Sequence, residues 1–215
     1  MGQPVTVGIV TVAHGQRYQQ FLPEWGTAVS RLQRQPEQVT IVGDTLDTEI
    51  SNTLDDILGN WIHVKTTRTY QHHPQYLVND AIRFSPTEWV CKMDADDLIY
   101  PDALNEIDTI QADVLMWGIH LDGRNLYPQN INREHILASP HNLVFSGSPF
   151  RRWIWEAAPY RDMIYEDWAF WIEAAKHGAR FQPTSRIGYE YRLHGSNIST
   201  HCDDTYWTEI ARGLQ

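Results

Sequence analysis

Four short runs of apolar residues constrain the fold of this chain more than any other feature. The first run, residues 5–12, is rich in β-branched side chains and does not alternate with polar residues. That pattern is typical of a strand buried on both faces of a parallel sheet. Further strands are predicted at 38–42, 61–64 and 89–93, with helices between them at 18–32, 54–59 and 76–84. Strands and helices that alternate in this order predict a doubly wound α/β fold.

The second half of the chain has weaker patterns. They predict a helix at 101–110, a strand at 113–120, a polar loop at 122–140, a strand near Val144, a helix at 167–177 and strands at Phe181 and 187–193. No internal repeat or linker interrupts the 215 residues, a length that suits one domain. We therefore expect a single domain over residues 1–215. Its halves lie at about 1–100 and 101–200, and a C-terminal helix is expected at about 204–213.

The composition bears on partners and location. The formal net charge of −10 favours solubility and opposes binding to polyanions such as nucleic acid or an anionic membrane surface. The two cysteines do not suggest a disulfide framework, and no apolar stretch approaches the roughly 20 residues of a membrane span. No signal peptide is visible, so we expect a cytoplasmic protein without a membrane partner.

An acidic cluster directly follows the predicted strand 89–93. Asp94, Asp96 and Asp97 lie within four positions, and the carboxyl ends of strands are where open α/β sheets bind ligands. Hard cations such as Mg²⁺ or Mn²⁺ bridge one or two carboxylates to substrate phosphates. The alternative is an acidic turn that caps the next helix, with Asp97 and Asp102 in that role. Both interpretations stay open on this motif alone.

Two later motifs have the same ambiguity. Glu166 and Asp167 precede an apolar helix, where carboxylates either serve a site or stabilise the helix N-terminus. His194 follows the last predicted strand, and a single histidine is more often a core or surface residue than a ligand. The tryptophans at 153, 155, 168 and 171 are more often core residues than platforms for a ring.

Taken in chain order, these and other motifs form a longer pattern. It comprises Val-Thr-Val-Ala at 10–13, Gly-Asp at 43–44, Asn-Asp-Ala-Ile at 79–82, Asp-Ala-Asp-Asp at 94–97, Gly-Ser-Pro-Phe-Arg-Arg at 147–152, Glu-Asp-Trp at 166–168 and Arg-Leu-His at 192–194. The pattern resembles the GT-A core of family 2 glycosyltransferases over residues 5 to about 199. The chain departs from the family at the first turn, where Ala13 stands in place of an aromatic residue, and at 43–44, where one of two acidic residues is lost.

The resemblance implies a GT-A fold, with a mixed, mainly parallel sheet flanked by helices. It also implies an inverting glycosyltransferase that takes a nucleotide-diphosphate sugar, with a UDP-sugar favoured. The half at about 1–100 would bind this donor and the half at 101–200 would face the acceptor. The expected donor-binding residues are Thr11, Ala13, Asp44, Asn79, Asp94 and Asp96.

A divalent cofactor, Mn²⁺ or Mg²⁺, and a proton acceptor are also implied. The expected metal ligands are Asp94, Asp96 and His194, with Asp96 the direct ligand that the resemblance favours most and His194 completing the coordination. The ion would stabilise charge on the leaving diphosphate. Asp167 is the expected general base for an acceptor hydroxyl, with Glu166 beside it. The expected acceptor-side residues are Ser148, Arg151, Arg152, Trp153 and Trp168.

The acceptor itself stays open. A saccharide or a small molecule fits a chain with no visible anchor. The alternation of arginine and tryptophan at 151–155 also resembles a surface that holds a phosphate and stacks a base, which would suit a modified nucleic-acid base. Two further alternatives are a nucleotidyltransferase, for which 13–17 offers only one glycine, and a non-catalytic sugar-nucleotide-binding module. The sequence does not predict the donor sugar or the oligomeric state.

Overall fold

The structure is a computed structural model that describes residues 4–13, 15–44, 46–66, 74–161 and 165–194. The helix expected at about 204–213 lies outside these residues. The single domain over 1–215 therefore stays a prediction. Within the described ranges, no helix is long and apolar enough to cross a membrane.

A mixed sheet forms the centre of the molecule. Its strands, with bounds in chain order, are β1 Val7–Val12, β2 Gln38–Gly43, β3 Ile62–Lys65, β4 Trp89–Lys92, β5 Leu98–Ile99, β6 Val114–Leu121, β7 Arg124–Leu126, β8 Phe150–Arg151 and β9 Phe181–Tyr191. The spatial order is β3-β2-β1-β4-β8-β6-β9-β5, with β7 paired to β6. Strands β3, β2, β1 and β4 are parallel, and β8 enters antiparallel between β4 and β6. The predicted mixed, mainly parallel sheet is confirmed.

Helices cover both faces of the sheet. They are α1 Gln16–Gln19, α2 Leu22–Ser30, α3 Thr48–Leu58, α4 Pro74–Arg83, α5 Arg133–Ala138, α6 Arg152–Ala157 and α7 Glu166–Lys176. Alternate residues of β1 join different apolar clusters, because successive side chains of a strand point to opposite faces. Val10 packs with α4 to α7, whereas Ile9 packs with α2, α3 and the segment 103–110. The core therefore has two layers, one on each side of the sheet.

The predicted helix 18–32 is two helices. Helix α1 ends at Gln19, and α2 begins at Leu22 with Pro23 in its first turn. Proline has no N–H to donate and its ring restricts the chain, so it suits the start of a helix and not its interior. The sequence contained this signal, since Pro23 interrupts the predicted helix.

The prediction of a helix at 101–110 is wrong. The segment is a succession of turns, in which Ala103, Asn105 and Ile107 donate their backbone N–H to the carbonyl three residues earlier, at 3.1 Å each. Ala103, Leu104 and Ile107 are nevertheless fully buried. The apolar spacing thus indicated burial correctly and helix incorrectly.

The region between β6 and α7 also differs from prediction. The loop 122–140 contains β7 and α5, and α5 begins at a capping box in which Asn132 and His135 bond each other's backbone N–H. Val144 is buried but lies in no strand, and the strand of this region is β8, six residues later. The late strands predicted at Phe181 and 187–193 are one strand, β9.

Candidate functional site

The carboxyl ends of the parallel strands β1, β2 and β4 lie at one edge of the sheet, called here the carboxyl edge. Thr11 is the second-last residue of β1, Asp44 directly follows β2, and Asp94 lies two residues after the end of β4. The edge where parallel strands end is the usual binding side of an open α/β sheet. The fold therefore brings together the donor-side residues that the sequence spreads over 84 positions, from 11 to 94.

Lys92, the last residue of β4, connects two carboxylates at this edge. Its Nζ is 2.8 Å from Oδ1 of Asp94 and 3.9 Å from Oε1 of Glu166, and its side chain is buried. Burial lowers the pKa of this ammonium, but the charges of Asp94 and Glu166 prevail and raise it well above its ordinary value. Lys92 is therefore a permanent positive charge inside the site.

Asp96 faces the end of β9. Its Oδ2 lies 2.6 Å from Nε2 of His194, and both side chains are largely buried. Arg192 donates its Nε–H to the backbone carbonyl of Asp96, and its guanidinium pairs with Glu24 of α2 at 2.5 Å. The ring of Phe21 packs against both His194 and Arg192. These contacts hold the predicted pair Asp96 and His194 together across 98 positions of sequence.

Asp97 has a different role from its neighbours. It is almost fully buried and accepts a hydrogen bond from the backbone N–H of Arg192 at 3.1 Å. Burial first, and then the charges of Asp94 and Asp96, raise its pKa well above the ordinary value. Because no helix follows at 101–110, the interpretation of Asp97 and Asp102 as helix caps is wrong. Asp97 instead anchors the end of β9.

The start of α7 carries the second pair of carboxylates. Tyr165, which precedes the helix, has left-handed backbone angles of φ 64° and ψ 40°. Such angles are unusual in a bulky residue and occur more often at functional sites. The turn is followed by Glu166 and Asp167, both in the first turn of the helix, where the helix dipole favours negative charge.

Burial raises the pKa of both carboxylates. For Glu166 the pKa increases to about 7, because burial and the charge of Asp167 outweigh the opposing charge of Lys92. For Asp167 burial again has the largest effect, opposed by Lys92 and by backbone N–H groups of the helix. Asn142 donates its amide N–H to Oδ2 of Asp167 at 2.9 Å, which fixes the orientation of the carboxylate.

Tyr160 completes this side of the site. Its ring stacks on Phe170 with a centroid separation of 4.3 Å and an interplanar angle of 7°. The hydroxyl is buried, has no hydrogen-bond partner among the residues that the structure describes, and interacts electrostatically with Lys92 and Asp167. A buried hydroxyl without a partner is unfavourable by about 1–3 kcal/mol unless a ligand or water satisfies it.

The predicted donor-side residues fall into two groups. Thr11 and Ala13 are buried, and the Thr11 hydroxyl has no partner in the described part of the chain. Asp44 is half-buried and accepts a hydrogen bond from the N–H of Gly15 at 3.1 Å. Asn79 differs, because its amide bonds Trp155 Nε1 and both backbone groups of Tyr160. Its described contacts thus join α4 to α6 and to the segment that carries Tyr160.

The structure does not bring most of the predicted acceptor-side residues to the carboxyl edge. Arg151 pairs in register with Trp89 at the start of β4, at the opposite end of that strand from Asp94, and Arg152 and Trp153 follow it. Ser148 is fully buried and accepts from the backbone N–H of Trp117.

Trp168 is also a core residue, 1% exposed, although it lies beside Asp167 in the first turn of α7. A buried ring offers no face on which an acceptor could stack. Of the five predicted acceptor-side residues, none therefore presents an open surface at the carboxyl edge.

Four residues at the site were missed by the sequence analysis: Lys92, Asn142, Tyr160 and His63. His63 lies on β3, and its Nε2 is buried without a partner within the described ranges, while burial lowers its pKa. Only Lys92 had a usable signal. A lysine inside a strand that is buried on both faces has to be paired with a carboxylate, and three carboxylates follow within five positions. Nothing in the sequence marks the other three.

The architecture resembles two solved structures of glycosyltransferase type. S. aureus TarS 1-349 in complex with UDP-GlcNAc has a TM-score of 0.74 and 16% identity, over 97% of this chain and 65% of that one. The mannosyltransferase PcManGT from Pyrobaculum calidifontis, in complex with GDP-Man and Mn²⁺, has a TM-score of 0.67 and 14% identity, over 92% of this chain and 59% of that one. This chain therefore spans less than two thirds of either neighbour.

The fold is of the GT-A type, as the sequence resemblance predicted. No family model matches the chain, and no curated protein matches it in sequence. At these identities the likeness establishes the fold, and the activity has to be argued from the residues.

Proposed function

We propose that this protein is an inverting glycosyltransferase that transfers a sugar from a nucleotide-diphosphate donor to a hydroxyl acceptor. The observation that carries the proposal is the meeting of two polar pairs at the carboxyl edge, Asp96 with His194 and Glu166 with Asp167. The donors bound in the two neighbours, UDP-GlcNAc and GDP-Man, support a nucleotide sugar as the donor class. A UDP-sugar is the donor to test first.

The donor base is proposed to lie against β1, β2 and β3. Asp44 would accept a hydrogen bond from a ring N–H of the base, and Thr11 and Ala13 would line the adjacent wall. The Thr11 hydroxyl and His63 Nε2 are buried polar atoms without described partners, and a bound nucleotide could satisfy them after a small rearrangement. The small side chain of Ala13 leaves no aromatic platform at this turn.

The residues present fit a divalent ion that shares its coordination with the donor. Among the described residues, no three His, Cys, Asp or Glu side chains converge into a self-sufficient metal cage. Asp96 and His194 nevertheless form a close pair, and Mg²⁺ or Mn²⁺ is commonly held by one or two carboxylates together with substrate phosphates. A metal bound there would offset the charge that develops on the leaving diphosphate. Asp94 is the weaker candidate ligand, because it already pairs with Lys92.

Asp167 is proposed to accept the proton of the acceptor hydroxyl. The acceptor oxygen then forms a bond to the anomeric carbon while the bond from that carbon to the diphosphate breaks. A single displacement from the face opposite the leaving group inverts the anomeric centre. The raised pKa of Asp167 makes it a stronger base than an ordinary aspartate, and Asn142 keeps its carboxylate oriented.

The acceptor is proposed to be a saccharide or another small molecule. Arg152 bonds the carbonyls of Ile82 and Ser85 inside the protein, and Arg151 stacks on Trp89. These arginines serve the fold at the far end of β4, so no observation favours a nucleic-acid base as acceptor. The net charge of −10 opposes one as well.

The test is a calorimetric panel of UDP-, GDP-, CDP- and dTDP-sugars, each with and without Mn²⁺, followed by product analysis. We expect one nucleotide to bind, with metal-dependent affinity that is lost in Asp96→Asn. Asp102→Asn is the matched control, because it makes the same change six residues away where the carboxylate pairs with Arg186. Binding of no donor would contradict the proposal. Donor binding with no transfer to any hydroxyl acceptor would favour a non-catalytic sugar-nucleotide-binding module.

A further inference from the structure

The strongest unexplained feature of the site is the buried ammonium of Lys92 between Asp94 and Glu166. We propose that Lys92 is a positioning residue that ties the donor-side carboxylate to the acceptor-side carboxylate and keeps Asp94 from ligating the divalent metal. This inference rests on the proposed function and deepens it. It gives a physical reason why Asp96, which the resemblance favours as the direct metal ligand, would bind the metal while Asp94 would not.

The position of Lys92 on the sheet explains how it reaches both carboxylates. Lys92 pairs in register with Val10 on β1 and shares its face of β4 with Val90, which packs against the layer of α7. Glu166 begins α7, so the ammonium projects from the sheet towards the first turn of that helix. Its two contacts, at 2.8 and 3.9 Å, join the loop after β4 to the N-terminus of α7.

The charge on Lys92 is fixed. A buried ammonium without a partner would lose its proton or destabilise the fold, whereas neighbouring carboxylates keep it charged. Here the ammonium of Lys92 lies 2.8 Å from Asp94 and 3.9 Å from Glu166, so it has a direct carboxylate partner in Asp94.

A fixed cation opposes a second cation at the same oxygen. Oδ1 of Asp94 is in contact with the ammonium, and bringing Mn²⁺ to that carboxylate would place like charges within a few ångströms of each other. Among the described contacts, the carboxylate of Asp96 faces His194, and the guanidinium of Arg192 bonds the backbone carbonyl of Asp96. The side chain of Asp94 is 40% exposed, so it can reach a donor while Lys92 holds it.

The experiment measures binding of Mn²⁺ in the presence of saturating UDP, by calorimetry, to the wild type and to four variants whose folding is checked by thermal unfolding. In Lys92→Met, removal of the like charge should tighten Mn²⁺ binding about tenfold. In Lys92→Arg the charge remains, so affinity should stay within about twofold of the wild type. Asp94→Asn should change it by no more than about threefold, whereas Asp96→Asn should abolish it.

Transfer kinetics give the second readout. If Lys92 positions Glu166 and Asp94, kcat should fall at least tenfold in Lys92→Met while the KM for the donor changes less than threefold, and Lys92→Arg should recover part of kcat. A role limited to folding would lower thermal stability in Lys92→Met without tightening Mn²⁺ binding.

Two results would overturn the inference while leaving the proposed function intact. One is a Lys92→Met protein with wild-type Mn²⁺ affinity. The other is a loss of Mn²⁺ binding in Asp94→Asn as complete as in Asp96→Asn, which needs no folded Lys92 variant. A wild type that binds neither donor nor Mn²⁺ would instead contradict the proposed function, and the Lys92 inference with it.

Discussion

Both ends of β4 carry basic and aromatic side chains, but the partners of those side chains differ. At the amino end, Arg151 stacks over Trp89 at 4.6 Å and Arg152 bonds two carbonyls at the end of α4. At the carboxyl end, Lys92 shares a buried space with carboxylates of raised pKa and with a tyrosine hydroxyl that has no described partner. At the amino end the arginines have partners inside the protein, whereas at the carboxyl end carboxylates of raised pKa surround a buried ammonium.

The difference teaches that charge and aromatic content alone do not identify a site. In the sequence, the arginines and tryptophans at 151–155 look more like a binding surface than the single lysine at 92 does. In the structure the arginines interact with other groups of the protein, and the side chains with shifted pKa values cluster around Lys92. Perturbed pKa values are typical of functional sites, because function requires charged groups that folding alone would not arrange in that way.

The sharpest test of this contrast is Asp167→Asn. We expect kcat to fall about a thousandfold, because a general base contributes roughly 10²–10⁴ to a rate. Donor affinity should change little, and the amide can still accept the hydrogen bond from Asn142. Steady-state transfer assays combined with donor calorimetry separate the two quantities.

The control for Asp167→Asn lies at the amino end. Glu88→Gln makes the corresponding change in a carboxylate that bonds the N–H of Thr6 and lies 4.0 Å from Arg151. Its kcat should stay within about twofold of the wild type. Equal losses in the two variants would mean that the ends of β4 do not differ as described.

Arg152→Ala should lower the stability of the protein and leave its catalytic rate unchanged. Loss of the bonds to the carbonyls of Ile82 and Ser85, and of the stacking on Trp155, should lower the free energy of unfolding by about 2–3 kcal/mol. Both kcat and the donor KM should stay near wild-type values at a temperature where the variant is folded. Urea unfolding measures the first effect, and a large loss of activity in the folded variant would reassign Arg152 to the site.

Glu166 should make stability depend on pH. Its pKa rises from the ordinary 4.5 to about 7 in the folded protein, so the folded state binds the proton more tightly than the unfolded state does. The free energy of unfolding should therefore decrease as the pH increases from about 4.5 to 7. Glu166→Gln should remove about 3 kcal/mol of this decrease, as urea unfolding at pH 5, 6, 7 and 8 would measure. If the free energy of unfolding of the two proteins varied with pH in the same way, Glu166 would not be the group responsible.

The smallest expected effect is that of Arg151→Ala. Its ion pair with Glu88 is long and partly exposed, and its stacking on Trp89 is a single cation–π contact. Together these interactions should contribute less than about 1 kcal/mol to the free energy of unfolding. Thermal unfolding and donor titration should both be close to wild type. A marked loss of acceptor binding would restore Arg151 to the acceptor side.

Much of the first half of the fold could be predicted from the sequence, because a strand buried on both faces leaves an unambiguous run of apolar residues. The segment 101–110 could not, since its apolar spacing satisfies a helix and a chain of buried turns equally well. Strand β8 has two residues, Phe150 and Arg151, which is too short for any periodicity to indicate. The order of the strands beyond β4 could not be predicted either, because it depends on contacts between segments that are distant in sequence.

The residues of the site also divide into those that the sequence predicts and those that it does not. Asp94, Asp96, Asp167 and His194 belong to motifs, and the structure places all four at the carboxyl edge. Asn142 and Tyr160 come from irregular segments, and only the packing of α7 against the sheet brings them to Asp167 and Lys92. The acceptor-side residues were misplaced because neighbours in sequence are not neighbours across a sheet: β8 carries the chain from Gly147, beside Met93, to the far end of β4 within four residues.

The contact between Asp96 and His194 couples two distant parts of the chain, the loop after β4 and the end of β9. Any ligand that binds both side chains favours the arrangement in which that end of β9 is docked. By thermodynamic reciprocity, such a ligand stabilises the docked arrangement as much as docking strengthens its binding. Loss of the Arg192 contacts to Asp96 or to Glu24 would therefore weaken ligand binding to the extent that the docked population falls. The strength of metal binding would then report how firmly the last strand of the sheet is held.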